Sequence, residues 1–141
     1  MSHNGYVSNE MELRAFLQCV ATTLCDKSFK PSSDIDIVEL KNGEDPEDEC
    51  TTYSTLQRLD MFKEDICEVL LELNEQDYLE TCPDSRFPNM PCFFTFAKVI
   101  QGEDIYIKFR INNKGMKVFC ISFHRARFNV NYNNLPYRHS V

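Results

Sequence analysis

Hydrophobic and polar positions alternate most clearly between residues 103 and 124. Ile105, Ile107, Phe109 and Ile111 are interleaved with Tyr106, Lys108, Arg110 and Asn112. A period of two predicts a strand with one apolar face and one polar, basic face. Asn112-Asn113-Lys114-Gly115 is turn chemistry. After it the alternation resumes, with Phe119, Ile121 and Phe123 set against Val118, Cys120, Ser122 and His124. Residues directly opposite in a hairpin share a face. A two-residue loop would set Lys108 against Phe119 and mix the faces. A three-residue loop over 113–115 sets Ile107 against Ile121 and Phe109 against Phe119, with Tyr106 opposite Ser122 and Lys108 opposite Cys120. Such loops favour a left-handed glycine at the third position, where Gly115 stands. The expected register is therefore the three-residue one.

The rest of the chain divides by period. Leu13, Phe16, Leu17, Val20 and Leu24 recur at helical spacing, so residues 9–25 read as a helix with one buried stripe, and Asn9 with Glu12 resembles a capping box. DIDIVEL, residues 34–40, alternates and reads as a short edge strand. Residues 52–59 predict one or two helical turns. Residues 63–73 predict a second long helix that buries Ile66, Val69, Leu70 and Leu73, with Glu64 and Asp65 at its positive end. Asn74 caps a further turn with Asp77 at its third position, and Tyr78 packs back on the core. Residues 81–91 carry three prolines and read as a loop. Residues 93–101 are a strand, and Gly102 begins the turn into the hairpin. A two-residue turn there puts Ala97 and Val99 on the Tyr106 face, and a three-residue turn puts Lys98 there instead. Helices first and an antiparallel meander last make one α+β domain over 1–141, with the helices on one sheet face, an acidic loop at 41–51 and a tail at 129–141 laid over the body.

The formal charge of −7 disfavours nucleic acid until its distribution is seen. Residues 1–80 hold 6 Lys/Arg against 19 Asp/Glu, a net of −13, while residues 81–141 hold 9 against 3, a net of +6. Screening makes the local potential decisive, so a basic surface can bind phosphate on an acidic protein. The acidic run GEDPEDE reads as a solvated linker. Seven irregularly spaced cysteines without C-x-x-C argue against a disulfide framework and against a zinc site. Cys19, Cys67 and Cys120 lie in apolar patterns and read as small core residues. No apolar run approaches membrane-spanning length and no signal-peptide core follows the first ten residues, so the chain is expected in the cytoplasm, with no membrane partner.

The polar face predicted for the hairpin carries Tyr106, Lys108, Arg110 and Ser122, with His124 at its edge. A solvated sheet surface carries Lys, Arg and Tyr too. A phenol, two cations and an imidazole together also suit binding or cleavage of a phosphodiester. Cleavage by attack of an RNA 2′-hydroxyl needs proton transfer and stabilisation of a dianionic phosphorane, and no metal or cofactor. His124 has the pKa for either proton role. Lys108 and Arg110 can neutralise phosphate, and Arg125 and Arg127 can hold flanking phosphates.

Several short motifs resemble the MqsR family of bacterial toxin–antitoxin modules, over residues 56–128. They are Leu56-x-x-Leu59, Asp65-Ile66-Cys67, Leu73 ahead of Asp77-Tyr78, Lys98-x-x-x-Gly102, Ile105-Tyr106-Ile107-Lys108 and Cys120-Ile121-Ser122-Phe123-His124. The resemblance implies a RelE-like fold and an endoribonuclease that cuts mRNA and is neutralised by a cognate antitoxin, with no direct DNA contact. It sets Tyr106 on the family's active-site tyrosine, Lys108 on the lysine two beyond and His124 on a position held by lysine or histidine. Lys98, Arg110, Arg125 and Arg127 are then the expected RNA contacts. The competing expectation is a relative that has lost cleavage and binds RNA or protein.

Overall fold

The computed structural model describes residues 4–112 and 116–139. Asn9 accepts a hydrogen bond from the Glu12 amide at 2.8 Å and opens helix α1 (Glu10–Leu24). A single turn, α2 (Pro31–Asp34), leads into strand β1 (Ile35–Ile37). Helix α3 (Thr52–Leu59) starts on the Thr51 hydroxyl, which accepts from the Ser54 amide, and ends at Asp60 in the left-handed conformation (φ 53°). Helix α4 (Lys63–Glu72) buries Ile66, Val69 and Leu70, with Leu73 just beyond its end. A 3-10 turn at Glu75–Asp77 carries the capping box expected of Asn74 and Asp77. Four strands follow: β2 (Tyr78–Cys82), β3 (Phe93–Ile100), β4 (Glu103–Asn112) and β5 (Lys117–Arg125).

The sheet runs β1-β5-β4-β3-β2. β2 to β5 form the antiparallel meander, and β1 adds a parallel edge strand beside β5, so the sheet is mixed. β2 falls partly where a proline-rich loop was expected. Its pairing with β3 is a long-range bond that local composition does not reveal. Helices cover the face of Ile105, Ile107 and Phe109: Phe16 of α1 stacks on Phe94 at 4.0 Å and lies 5.2 Å from Phe109. β1 protects only part of β5. Further along, the β5 amides of Phe123 and Arg125 donate to the Thr52 and Thr55 hydroxyls of α3, both at 3.0 Å. A helix thus satisfies the edge where the strand partner has run out. The C-terminal segment lies on the body, where Tyr137 donates to the Ser8 carbonyl at 2.6 Å and stacks near Tyr78. Among the described residues no helix is long and apolar enough to cross a membrane.

The hairpin register differs from the expected one. Asn112 pairs with Lys117, so four residues separate the strands, and Met116 takes the left-handed conformation (φ 49°). Residues 113–115, and with them the expected positive φ of Gly115, lie outside the described residues. Tyr106 opposes His124, Ile107 opposes Phe123 and Lys108 opposes Ser122, whereas Phe109 opposes Cys120 and Arg110 opposes Phe119. Ile121 is the extra residue of a β-bulge. The bulge reverses the parity of β5, so Val118 and Cys120 enter the core with Phe123, and Phe119 turns to the opposite face. The pairs Ile107–Ile121 and Phe109–Phe119 therefore do not form. The reason is legible afterwards: both parities of Val118-Phe119-Cys120-Ile121 are apolar, so hydrophobicity alone does not choose between them.

Candidate functional site

The face opposite the helices is not open solvent. Arg110, Ser122 and His124 are only 4%, 3% and 6% exposed. Three segments from outside the sheet lean over it: residues 41–51, residues 83–92 and the chain after β5. Between them lies a cleft of about 280 Å³. Its sheet wall is Tyr106, Lys108, Ser122 and His124, two directly opposed pairs. Lys41, Arg127 and Phe128 complete it. The imidazole of His124 lies 5.5 Å from the Tyr106 ring, and Phe128 meets Tyr106 edge-on at 6.1 Å.

His124 is held by its backbone neighbourhood. Its Nδ1–H donates to the Arg125 carbonyl at 2.8 Å, so in the neutral ring Nε2 carries the lone pair. Burial draws its pKa below 6.5; the carbonyl hydrogen bond opposes that, and the charges of Lys41 and Arg127 reinforce it. The ring is thus a neutral base near pH 7.

Lys41 is the residue that sequence reasoning missed. Burial lowers its pKa, Glu44 opposes the shift, and repulsion from Lys108 and Arg127 adds to it. Neither Lys41 nor Lys108 makes an ion pair with a described residue. The one sequence signal was that Lys41 is the sole cation in ELKNGEDPEDE. Two partly desolvated ammonium groups held together with no ion-pair partner among the described residues favour an anion in the cleft. Lys108 also lies 5.3 Å from the Phe93 ring centroid, which fixes its direction.

The other expected residues are less available. Among the described residues no cation acts on Tyr106 in the way that would make it a base. Burial and the nearby Cys82 and Glu80 push its pKa up, against a hydrogen bond with Thr95, so it remains a phenol turned towards β3. Arg110 shares the face of Lys108 but is bound elsewhere. It pairs with Asp84 at 2.7 Å, bonds Asn112 at 3.0 Å and sits between the rings of Phe93 and Phe119. It is a structural clasp on residues 83–92 and does not line the cleft. The turn between β3 and β4 has two residues, Gln101 and Gly102, both at positive φ (50° and 80°). That geometry matches the twist of a hairpin, and it puts Lys98 opposite Ile105, away from the cleft. Arg125 is on that side too, paired with Glu103 and Glu49. Arg127 does reach the cleft, held by Asp48 at 2.9 Å and Glu44 at 3.3 Å.

The acidic segment is therefore a bound element of the site rather than a solvated linker. Its carboxylates take Arg125 at the end of β5 and Arg127 just beyond it. Burial raises the thiol of Cys67 to about 11 and that of Cys120 to about 12, in keeping with inert core residues, and all seven cysteines are free. Among the described residues, no three of His, Cys, Asp and Glu are grouped as metal ligands would be. Compared with known proteins, the chain matches no family model, no curated sequence and no solved structure.

Proposed function

We propose that the cleft binds a phosphodiester of RNA and that the protein is a metal-independent endoribonuclease of the toxin type, RelE-like in fold and related to the MqsR family. One observation carries this reading. A neutral, oriented His124 shares a small cleft with two cations, Lys41 and Lys108, that have no ion-pair partner among the described residues. His124 Nε2 accepts the 2′-hydroxyl proton as that oxygen bonds to phosphorus, and Lys41 and Lys108 balance the charge that grows on the phosphorane. The P–O5′ bond then breaks, with the leaving oxygen taking a proton from the Lys41 ammonium, which burial makes more acidic. Tyr106 supports the imidazole and packs against Phe128. Expression of such an enzyme halts growth by cutting mRNA in the cytoplasm, and a cognate antitoxin encoded beside it restores growth. The motifs around Tyr106, Lys108 and His124 support that family assignment.

The test is an RNA cleavage assay on purified protein, with products ending in a 2′,3′-cyclic or 3′-phosphate. A second reading has its own support. Arg125 and Arg127 are occupied by the protein's own carboxylates, and Tyr106 lies beside Glu80. Those features suit a module that binds RNA without cutting it. RNA bound and left intact by the wild type decides for that reading.

A further inference from the structure

A second groove adjoins the cleft, and the bulge in β5 creates it. With the parity of the strand reversed at Ile121, Phe119 leaves the core and turns outward. Phe119 and Ile121, both half-buried, line a groove of about 540 Å³. Leu40 and Lys41 line it as well, together with the exposed Asn42 and Arg86. Lys41 lines both this groove and the His124 cleft, so the two meet at one residue.

The chemistry of the lining is specific. It contains two cations, one carboxamide, an aromatic ring and aliphatic side chains and, among the described residues, no carboxylate, on a protein of net charge −7. Single-stranded nucleic acid is held in this way, with bases stacked on aromatic side chains and cations on the phosphates. Phe119 is also prearranged. Its ring lies 5.1 Å from the Arg110 guanidinium and 5.9 Å from the Phe93 ring, and Arg110 is itself locked to Asp84. A ring already fixed loses little freedom when a base stacks on it. The Asn42 amide offers both a donor and an acceptor for a base edge.

We propose that this groove is a nucleobase subsite for single-stranded RNA. The phosphate at Lys41 is shared with the cleft, the neighbouring base lies on Phe119 and Ile121, Asn42 reads its edge, and Arg86 meets the next phosphate. The proposal deepens the ribonuclease reading and rests on it.

The experiment compares two short end-labelled oligomers of equal phosphate number on the His124→Ala protein at low salt. One carries bases and the other is abasic. The base-bearing oligomer binds roughly tenfold or more tighter, the range of one stacked base. Phe119→Ala removes most of that difference. Because Phe119 also supports Arg110, two further variants keep the test sound. The chain has no tryptophan, so Phe119→Trp gives a single indole whose emission the base-bearing oligomer quenches and the abasic one does not. Arg86→Ala, at an exposed position, lowers affinity and makes the salt dependence shallower by about one ion. Equal affinity for the two oligomers, or an indole that does not respond, overturns the subsite alone. No binding of either oligomer, with no cleavage by the wild type, overturns the ribonuclease reading and the subsite with it.

Discussion

His124 shows how much one backbone carbonyl decides. The Arg125 oxygen takes the Nδ1 proton and leaves Nε2 as the base, and burial keeps the ring neutral. If the ring transfers the proton, His124→Ala lowers cleavage by about 10²–10⁴-fold, the usual share of acid–base catalysis. Folding is checked separately by circular dichroism. The wild-type rate falls as pH drops through a midpoint below 6.5, because the base is lost only when the ring protonates and its folded pKa is depressed. Over the same window the unfolded chain takes up the proton first, so stability also declines as pH falls from 6.5 towards the folded value. A rate profile flat across that range removes His124 from the chemistry. Lys41→Ala and Lys108→Ala each weaken RNA binding and slow cleavage. Tyr106→Phe costs less than His124→Ala, since the lost hydroxyl is turned towards Thr95. Single-turnover kinetics on the four variants separate these effects.

Two elements do what their composition does not announce. The acidic segment folds back on itself, with the Glu44 carboxylate accepting from the Lys41 amide at 2.8 Å, and its carboxylates hold Arg127 beside the cleft. Neutralising it as Glu44→Gln with Asp48→Asn frees Arg127 for phosphate, so RNA affinity rises. Titration at fixed salt measures this, and a fall in affinity would mean that the pairs position Arg127 rather than restrain it. Residues 83–92 are held through Arg110, whose side chain is 5% exposed against 12% for its partner Asp84. Asp84→Ala leaves a buried guanidinium without its counter-charge. It should destabilise the fold by about 3–5 kcal/mol, read from the denaturant midpoint. A loss no larger than that of an exposed pair would show that water replaces the carboxylate.

On the scale of the molecule, charge is sorted by sequence half but not by surface. The acidic N-terminal half supplies Lys41 to the cleft, and the basic C-terminal half spends Arg110, Arg125 and Arg127 on internal ion pairs. Within the cleft, the positive charge without an ion-pair partner among the described residues is that of Lys41 and Lys108. RNA affinity is thus expected to fall with added salt, but with a shallow slope of few counterions. Titrations across a range of ionic strength measure that slope. A steep slope would place the main RNA contacts elsewhere on the protein. EDTA is expected to leave cleavage unchanged.

The sequence alone determined what depends on near neighbours. Helical stripes at 13–24 and 66–73, the caps at Asn9 and Asn74, and the alternation of Ile105, Ile107 and Phe109 are local regularities, and the structure contains them. The face that joins Tyr106, Lys108, Ser122 and His124 was legible for the same reason, because Phe123 separates Ser122 from His124 by parity. Tertiary structure decided the rest. Four consecutive apolar residues at 118–121 left the parity of β5 undetermined, and packing against the helices resolved it through a bulge. The fate of the arginines rested on partners 26, 79 and 83 residues away, Asp84 for Arg110, then Asp48 and Glu44 for Arg127. A charge in sequence has no partner until the chain closes on itself. For that reason Lys41, embedded in an acidic run, became a cation of the cleft, while Arg110, central to the basic stripe, became part of the scaffold.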